Sequence, residues 1–215
     1  MYMEIVDNQP ISARFFGEGR WLTEFITPNN LDVTQLYNQI TNGAFDRIER
    51  ITRLRGWVTD KIKYKPFISG TLRIENNVQT NRDVWMDSAL TIRTRVGNCA
   101  NKAFLLASLL RRELSDTEVF CVFGNLYNSP NSDQAGGHAW VQVLYDDNFY
   151  ILESTTKKVP PMVLAERATR YEAVHLFNDQ RVYVVPGRTA LQPFSAVYSQ
   201  WLENYLDYAY IEGNK

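Results

Sequence analysis

Apolar residues recur along this chain with two different periods, and the change from one to the other divides it. Through residues 44–62, Phe45, Ile48, Ile51, Leu54, Trp57, Val58 and Ile62 follow at mostly three- and four-residue steps. That is the spacing of one helical face. A shorter helix is predicted over residues 32–40, and another that Asp83 can cap, running through Trp85, Ala89 and Ile92. Residues 97–114 predict an apolar helix rich in Ala, Leu and Phe that opens directly from a glycine turn. Beyond residue 117 the composition turns to Val, Phe and Tyr, which favour strands. Strands are predicted at 117–127, 139–145, 149–153, 173–177 and 182–185, with 139–145 and 149–153 paired around Asp146-Asp147-Asn148.

The remaining segments are less regular. A hairpin is predicted over 13–26, where Phe15-Phe16 and Trp21-Leu22 flank Gly17-Glu18-Gly19. Thr27-Pro28-Asn29-Asn30 breaks the pattern after it. Residues 64–78 are irregular with short strands, and 128–137 form an exposed polar loop. A short helix is expected over 159–168 and a final helix over 194–208. Helices first, then an antiparallel sheet, then a helix make an α+β fold, with the central helix packed on the sheet.

Composition narrows what such a fold can do. The 215 residues are 45% hydrophobic and 13% aromatic, which suits a packed core, and the net charge is −1. That charge offers no electrostatic argument for nucleic acid or an anionic membrane. No run approaches the length of a membrane span. The start carries no basic region followed by an apolar one, so the expectation is a soluble protein of a reducing compartment, the cytoplasm. Two cysteines cannot build a disulfide framework, and without a secretion signal a single Cys99–Cys121 bridge is disfavoured. Two Cys and two His without a C-x-x-C pair supply a structural zinc poorly, so neither metal nor cofactor is expected.

Three residues carry the candidate chemistry. Cys99 follows Gly97-Asn98 in the first turn of its helix, sharing a face with Ala103, Leu106 and Leu110. A helix start has unsatisfied N–H groups and partial positive charge, which favour thiolate over thiol. His138 lies behind Gly136-Gly137 at the start of a very apolar strand, where other segments can approach closely. Glu153 closes the next apolar run. A two-residue turn at Asp146-Asp147 pairs Tyr145 with Asn148 and sets Trp140 opposite Glu153, making His138 and Glu153 diagonal neighbours on one face. A register shifted by two makes them direct partners, and a three-residue loop puts them on opposite faces unless a bulge intervenes. A nucleophilic thiol, an imidazole base and an orienting carboxylate are the expected roles. Should Glu153 not be the third member, Asn125, Asp146 and Asp147 are the alternatives. Cys121 reads as core, and His175 has no glycine approach. The run Arg47, Glu49, Arg50, Arg53, Arg55 reads as a solvated helix face. Tyr198, Tyr205, Tyr208 and Tyr210 read as packing.

These residues resemble the transglutaminase-like superfamily. The matches are Gly97-Asn98-Cys99, Gly137-His138-Ala139-Trp140-Val141 and Leu152-Glu153-Ser154-Thr155, with Trp57-Val58-Thr59-Asp60-Lys61-Ile62-Lys63-Tyr64 upstream. The departures are Glu153 where aspartate is usual and Ser154 in place of proline. The resemblance implies a papain-like core at 44–156, an N-terminal extension at 1–43 and completing elements at 157–215. It also implies a thiol mechanism through an acyl-enzyme on a protein or peptide amide, ending in hydrolysis or in acyl transfer. The oxyanion hole would use the Cys99 N–H and one upstream donor, Tyr64 or Trp85. The alternative function is a non-enzymatic binding or assembly module on the same fold. Oligomeric state is left open.

Overall fold

A computed structural model describes residues 20–65, 85–127 and 133–189 in full, and the backbone of short strands at 4–5, 10–15, 18–19, 72–75 and 78–81. Strands β1 (Glu4–Ile5), β2 (Pro10–Phe15) and β3 (Glu18–Trp21) come first, followed by a 3-10 turn at Leu22–Phe25. Helices α1 (Leu31–Thr41) and α2 (Arg47–Lys61) lead into β4 (Lys63–Tyr64), β5 (Leu72–Glu75) and β6 (Val78–Asn81). Helix α3 (Ser88–Thr94), β7 (Val96–Gly97) and α4 (Cys99–Leu110) make the centre. Then come β8 (Val119–Tyr127), β9 (Ala135–Tyr145), β10 (Asn148–Leu152), β11 (Val163–Leu164), β12 (Tyr171–Phe177) and β13 (Val182–Val184). An antiparallel sheet runs in the order β1-β13-β12-β8-β9-β10-β11. The α+β class is as expected, and β1 adds an N-terminal edge that no later strand pattern announced.

Every residue of α4 is buried, as a helix apolar on all sides requires. It lies between α1, α2 and α3 on one side and β8 and β9 on the other. Phe104 on α4 stacks on Phe25 at 4.8 Å and packs with Trp85, Phe123 and Phe177. Alternate residues of β9 serve two cores. Ala139, Val141 and Val143 join the core around α4, whereas Trp140 joins a second one with Phe120, Val122, Ile151 and Leu176. The period of two along the strand thus gives the sheet two buried faces.

Several element boundaries differ from the sequence pattern, each for a local reason. Helix α2 starts at Arg47, because Asp46 accepts the Glu49 N–H at 2.7 Å while the Glu49 carboxylate takes the Phe45 N–H at 2.8 Å. Phe45 is therefore outside the helix and 94% exposed. The α3 cap is Asp87, accepting from the Leu90 N–H at 2.8 Å; Asp83 lies outside the described residues. No helix forms at 159–168. Pro160-Pro161 lack N–H donors and hold the preceding backbone extended, and the segment becomes β11 and a 3-10 turn at Ala165–Arg167. The first hairpin pairs β2 with β3, and Leu22–Phe25 belongs to the 3-10 turn. The 194–208 helix and the tail tyrosines fall outside the described residues. Among the described residues no helix is long and apolar enough to cross a membrane.

Candidate active site

The chain reaches Cys99 through a tightly defined turn. Arg95 ends α3 in the left-handed region at φ 57°, its guanidinium 4.6 Å over the Trp57 ring. β7 then pairs in parallel with β4, so Gly97 stands beside Tyr64, and Gly97 O accepts the Lys65 N–H at 3.0 Å. A Cβ on Gly97 would stand 2.9 Å from the Asn101 Cβ, closer than packed carbons come. Asn98 caps α4 by accepting the Asn101 N–H at 3.0 Å. Asn101 in turn accepts the Met86 N–H at 2.8 Å, tying the α3 approach to the first turn of α4.

His138 and Glu153 are set by the β9–β10 hairpin. Asp146 and Asp147 both have positive φ, 49° and 59°, the backbone of a two-residue type I′ turn. Tyr145 pairs with Asn148 and Val141 with Leu152. Continuing that register makes His138 and Glu153 diagonal neighbours. The imidazole Nε2 lies 2.8 Å from Glu153 Oε2. With Nε2 engaged by the carboxylate, Nδ1 is the ring nitrogen open to another partner, and Cys99 stands near enough to act on the imidazole. Exposure of Cys99, His138 and Glu153 is 4%, 2% and 0%.

Burial alone would favour a neutral imidazole at His138. The Glu153 charge and the hydrogen bonds to Cys99 and Glu153 outweigh it and lift the pKa to about 10. Burial likewise pushes the Glu153 carboxyl up, but the His138 charge and hydrogen bonds from His138 and Thr155 bring it down to about 2. Both effects favour the charged pair.

The other candidates are distributed as follows. Tyr64 is half-buried beside Gly97, two residues from the thiol. Trp85 is fully buried, its ring against Phe25, Phe104 and Phe123. Asn125 donates to Glu172 at 2.7 Å and to Thr189 O at 3.1 Å, while Asp146 and Asp147 are exposed at the hairpin turn. His175 sits on β12 opposite Phe123, with β8 between its strand and that of His138. Burial pushes the Cys121 thiol well up, and both cysteines are free. Among the described residues no three His, Cys, Asp or Glu side chains group as metal ligands.

One expectation needs correcting: the arginine run on α2 is not solvated throughout. Arg50 pairs with Glu113 through 2.8 Å and 2.5 Å contacts. Arg55 is buried, donating to the backbone carbonyls of Glu153 at 2.8 Å and of Thr156 and Val159 at 2.7 Å. Lys102, one turn beyond Cys99, is also buried and donates to Ile62 O at 2.9 Å and Thr59 O at 3.3 Å. Its first-order effect is burial, which lowers its pKa to about 8. Tyr171 donates to Glu153 Oε2 at 3.1 Å. Sequence reasoning missed Tyr171, Arg55 and Lys102 as neighbours of Glu153. Arg55 could have been suspected, because it falls four residues after Ile51 and three before Val58 on the apolar face of α2.

The sequence profile of the transglutaminase-like superfamily matches residues 34–153. Among solved structures, EGTA-treated LapG of Legionella pneumophila is similar in fold, with a TM-score of 0.51 at 11% identity over 89% of this chain and 95% of that one. A second Legionella pneumophila LapG structure aligns with a TM-score of 0.47 at 11% identity, over 86% of this chain and 93% of that one. A search of curated proteins found no match.

Proposed function

Because this chain belongs to the transglutaminase-like superfamily, we propose that it is a cysteine-nucleophile enzyme acting on peptide-type amides, by hydrolysis or acyl transfer. The observation that carries this reading is the buried 2.8 Å contact between His138 Nε2 and Glu153 Oε2, with Cys99 at the buried start of α4 acting on the same imidazole. His138 takes the Cys99 proton at Nδ1, and Glu153 fixes the ring and stabilises the imidazolium. The thiolate attacks the amide carbonyl, and the imidazolium passes its proton to the leaving amine as the C–N bond breaks. The resulting thioester is resolved by water or by a second amine, with His138 as base. The Cys99 N–H at the helix start and Tyr64 are the proposed oxyanion donors; Tyr64 is favoured over Trp85 because β4 runs beside Gly97. Residues 44–156 carry the chemistry. The flanks share its core: Val33 and Leu36 of α1 and Phe177 of β12 pack in the cluster that contains Cys99. A reducing compartment such as the cytoplasm completes the reading, since a nucleophilic thiol has to stay reduced.

The test is alkylation of the folded protein with iodoacetamide at near-neutral pH. Cys99 is expected to react selectively, Cys99→Ala to abolish labelling and Cys121→Ala to leave it intact. Labelling of both cysteines only after denaturation overturns the reading.

A further inference from the structure

Glu153 is held at all three of its oxygens. Its backbone O accepts from Arg55 Nε at 2.8 Å, and Oε1 accepts from the Thr155 N–H at 2.8 Å. Oε2 serves two donors, His138 Nε2 at 2.8 Å and the Tyr171 hydroxyl at 3.1 Å. Tyr171 opens β12 and comes from outside the hairpin that carries the other two groups. Its ring meets Trp140 edge-on at 5.1 Å and 77°, and lies 6.3 Å from the His138 ring. Trp140 in turn lies 6.1 Å from His138, within 24° of parallel. The hydroxyl is therefore aimed by packing on the same side chains that place the imidazole.

We propose that Tyr171 is a positioning residue that tempers the Glu153–His138 contact by sharing Oε2 with the imidazole. This rests on the reading of Cys99 as nucleophile and His138 as base. An oxygen that already accepts an O–H has less charge to offer a second donor. The imidazolium has to survive while the thiolate attacks and then surrender its proton to the leaving amine. A carboxylate oxygen serving His138 alone grips that proton harder and makes the imidazolium a poorer acid. Other charged or titratable groups face the pair. Cys99 lies on the imidazole side, Arg55 and Lys102 on the carboxylate side, and Arg170 near the Tyr171 ring. Arg55 and Lys102 donate to backbone carbonyls. Among the described residues, Tyr171 is the neutral side chain that joins His138 on the same oxygen.

The test is direct because the chain has two histidines. Histidine labelled with 15N gives two ring systems, His138 and His175, whose titrations can be followed separately. In Tyr171→Phe the His138 transition is expected to move up by about half to one pH unit, the part of one hydrogen bond to the Glu153 carboxylate that is passed on to the imidazole. His175 should not move. Tyr127→Phe is the control, since Tyr127 donates in the same way to Glu172, at 3.0 Å; it should leave His138 unchanged. Tyr171→Met serves if the Phe variant does not fold. A His138 transition that stays put or moves down in a folded variant overturns the proposal. If neither variant folds, Tyr171 is a packing residue and the proposal fails. Selective alkylation of Cys99 in the parent protein is read separately, so its failure sinks the catalytic reading and not the hydrogen-bond argument.

Discussion

At the scale of single residues, the departure from aspartate at position 153 has a geometric answer. Glutamate is one methylene longer, and the diagonal register between β9 and β10 supplies the distance that it spans. Both carboxylate oxygens end fully engaged, with Thr155 on one and His138 and Tyr171 on the other. Glu153→Gln keeps an oxygen for the ring but cannot stabilise an imidazolium, and its NH2 group then meets the Thr155 N–H, donor against donor. Once a substrate is found, kcat for Glu153→Gln is expected to fall roughly ten- to a thousand-fold, about 1.4 to 4 kcal/mol of barrier. Substrate binding should change little, and Glu153→Asp should keep more activity than Glu153→Gln. Parent-like kcat in both variants would reduce Glu153 to a buried polar strand end.

At the scale of elements, the site is a junction of one helix start and one hairpin, and α2 clamps them. Arg55 closes the connector after β10 by satisfying three carbonyls, at Glu153, Thr156 and Val159. These are groups that an irregular buried segment cannot pair within itself. Arg55→Met fits the apolar surroundings but leaves the carbonyls without that donor. A loss of about 3 kcal/mol or more is expected, since three backbone carbonyls each lose a donor at about 1 to 3 kcal/mol apiece. Arg55→Lys should lose almost as much, since an ammonium cannot reproduce the planar fork. Urea unfolding measures the loss, and faster amide exchange at residues 153–159 locates it. A near-neutral Arg55→Met would mean that water replaces the guanidinium. Helix α4 shows the same economy at its start, where Gly97, Asn98 and Asn101 together admit β4, cap the helix and hold the Met86 backbone.

At the scale of the whole molecule, the buried pair links stability to pH with a definite sign. His138 has its pKa raised from 6.5 to about 10. Its stabilisation is fully present below 6.5 and is lost as pH rises through about 10. Glu153 has its pKa lowered from 4.5 to about 2, so its stabilisation is present above 4.5 and is lost as pH falls through about 2. Lys102 works the other way on the alkaline side. Lowered from 10.5 to about 8, it makes the folded state gain stability as pH rises between those values. The parent must therefore be compared with His138→Asn, which carries the same lysine. Between pH 6 and 9.5 the urea midpoint of the parent is expected to fall relative to that of the variant. Parallel midpoints across that range would show that the pair is not charged when folded.

Much of this arrangement could be read from local sequence. The α4 start, the strand character of β8, β9 and β10, and the two-residue turn all depend on neighbours in the chain. So does the diagonal register of His138 and Glu153, because the turn length and the period of two determine it. What the chain could not announce came from segments far apart. The helix caps are the local exception: Asp46 and Asp87 take them because their side chains reach the Glu49 and Leu90 N–H groups, three residues on. The charge of Arg55 points to solvent in the sequence alone, and only the carbonyls of residues 153, 156 and 159 make its burial possible. Tyr171 carries no motif, and 18 residues separate it from Glu153. Only the placement of β12 beside β8, and the packing of Trp140 against both rings, brings its hydroxyl to the carboxylate. Periodicity and turn chemistry are local and survive in the sequence; a hydrogen bond between distant strands exists only once burial has closed the sheet.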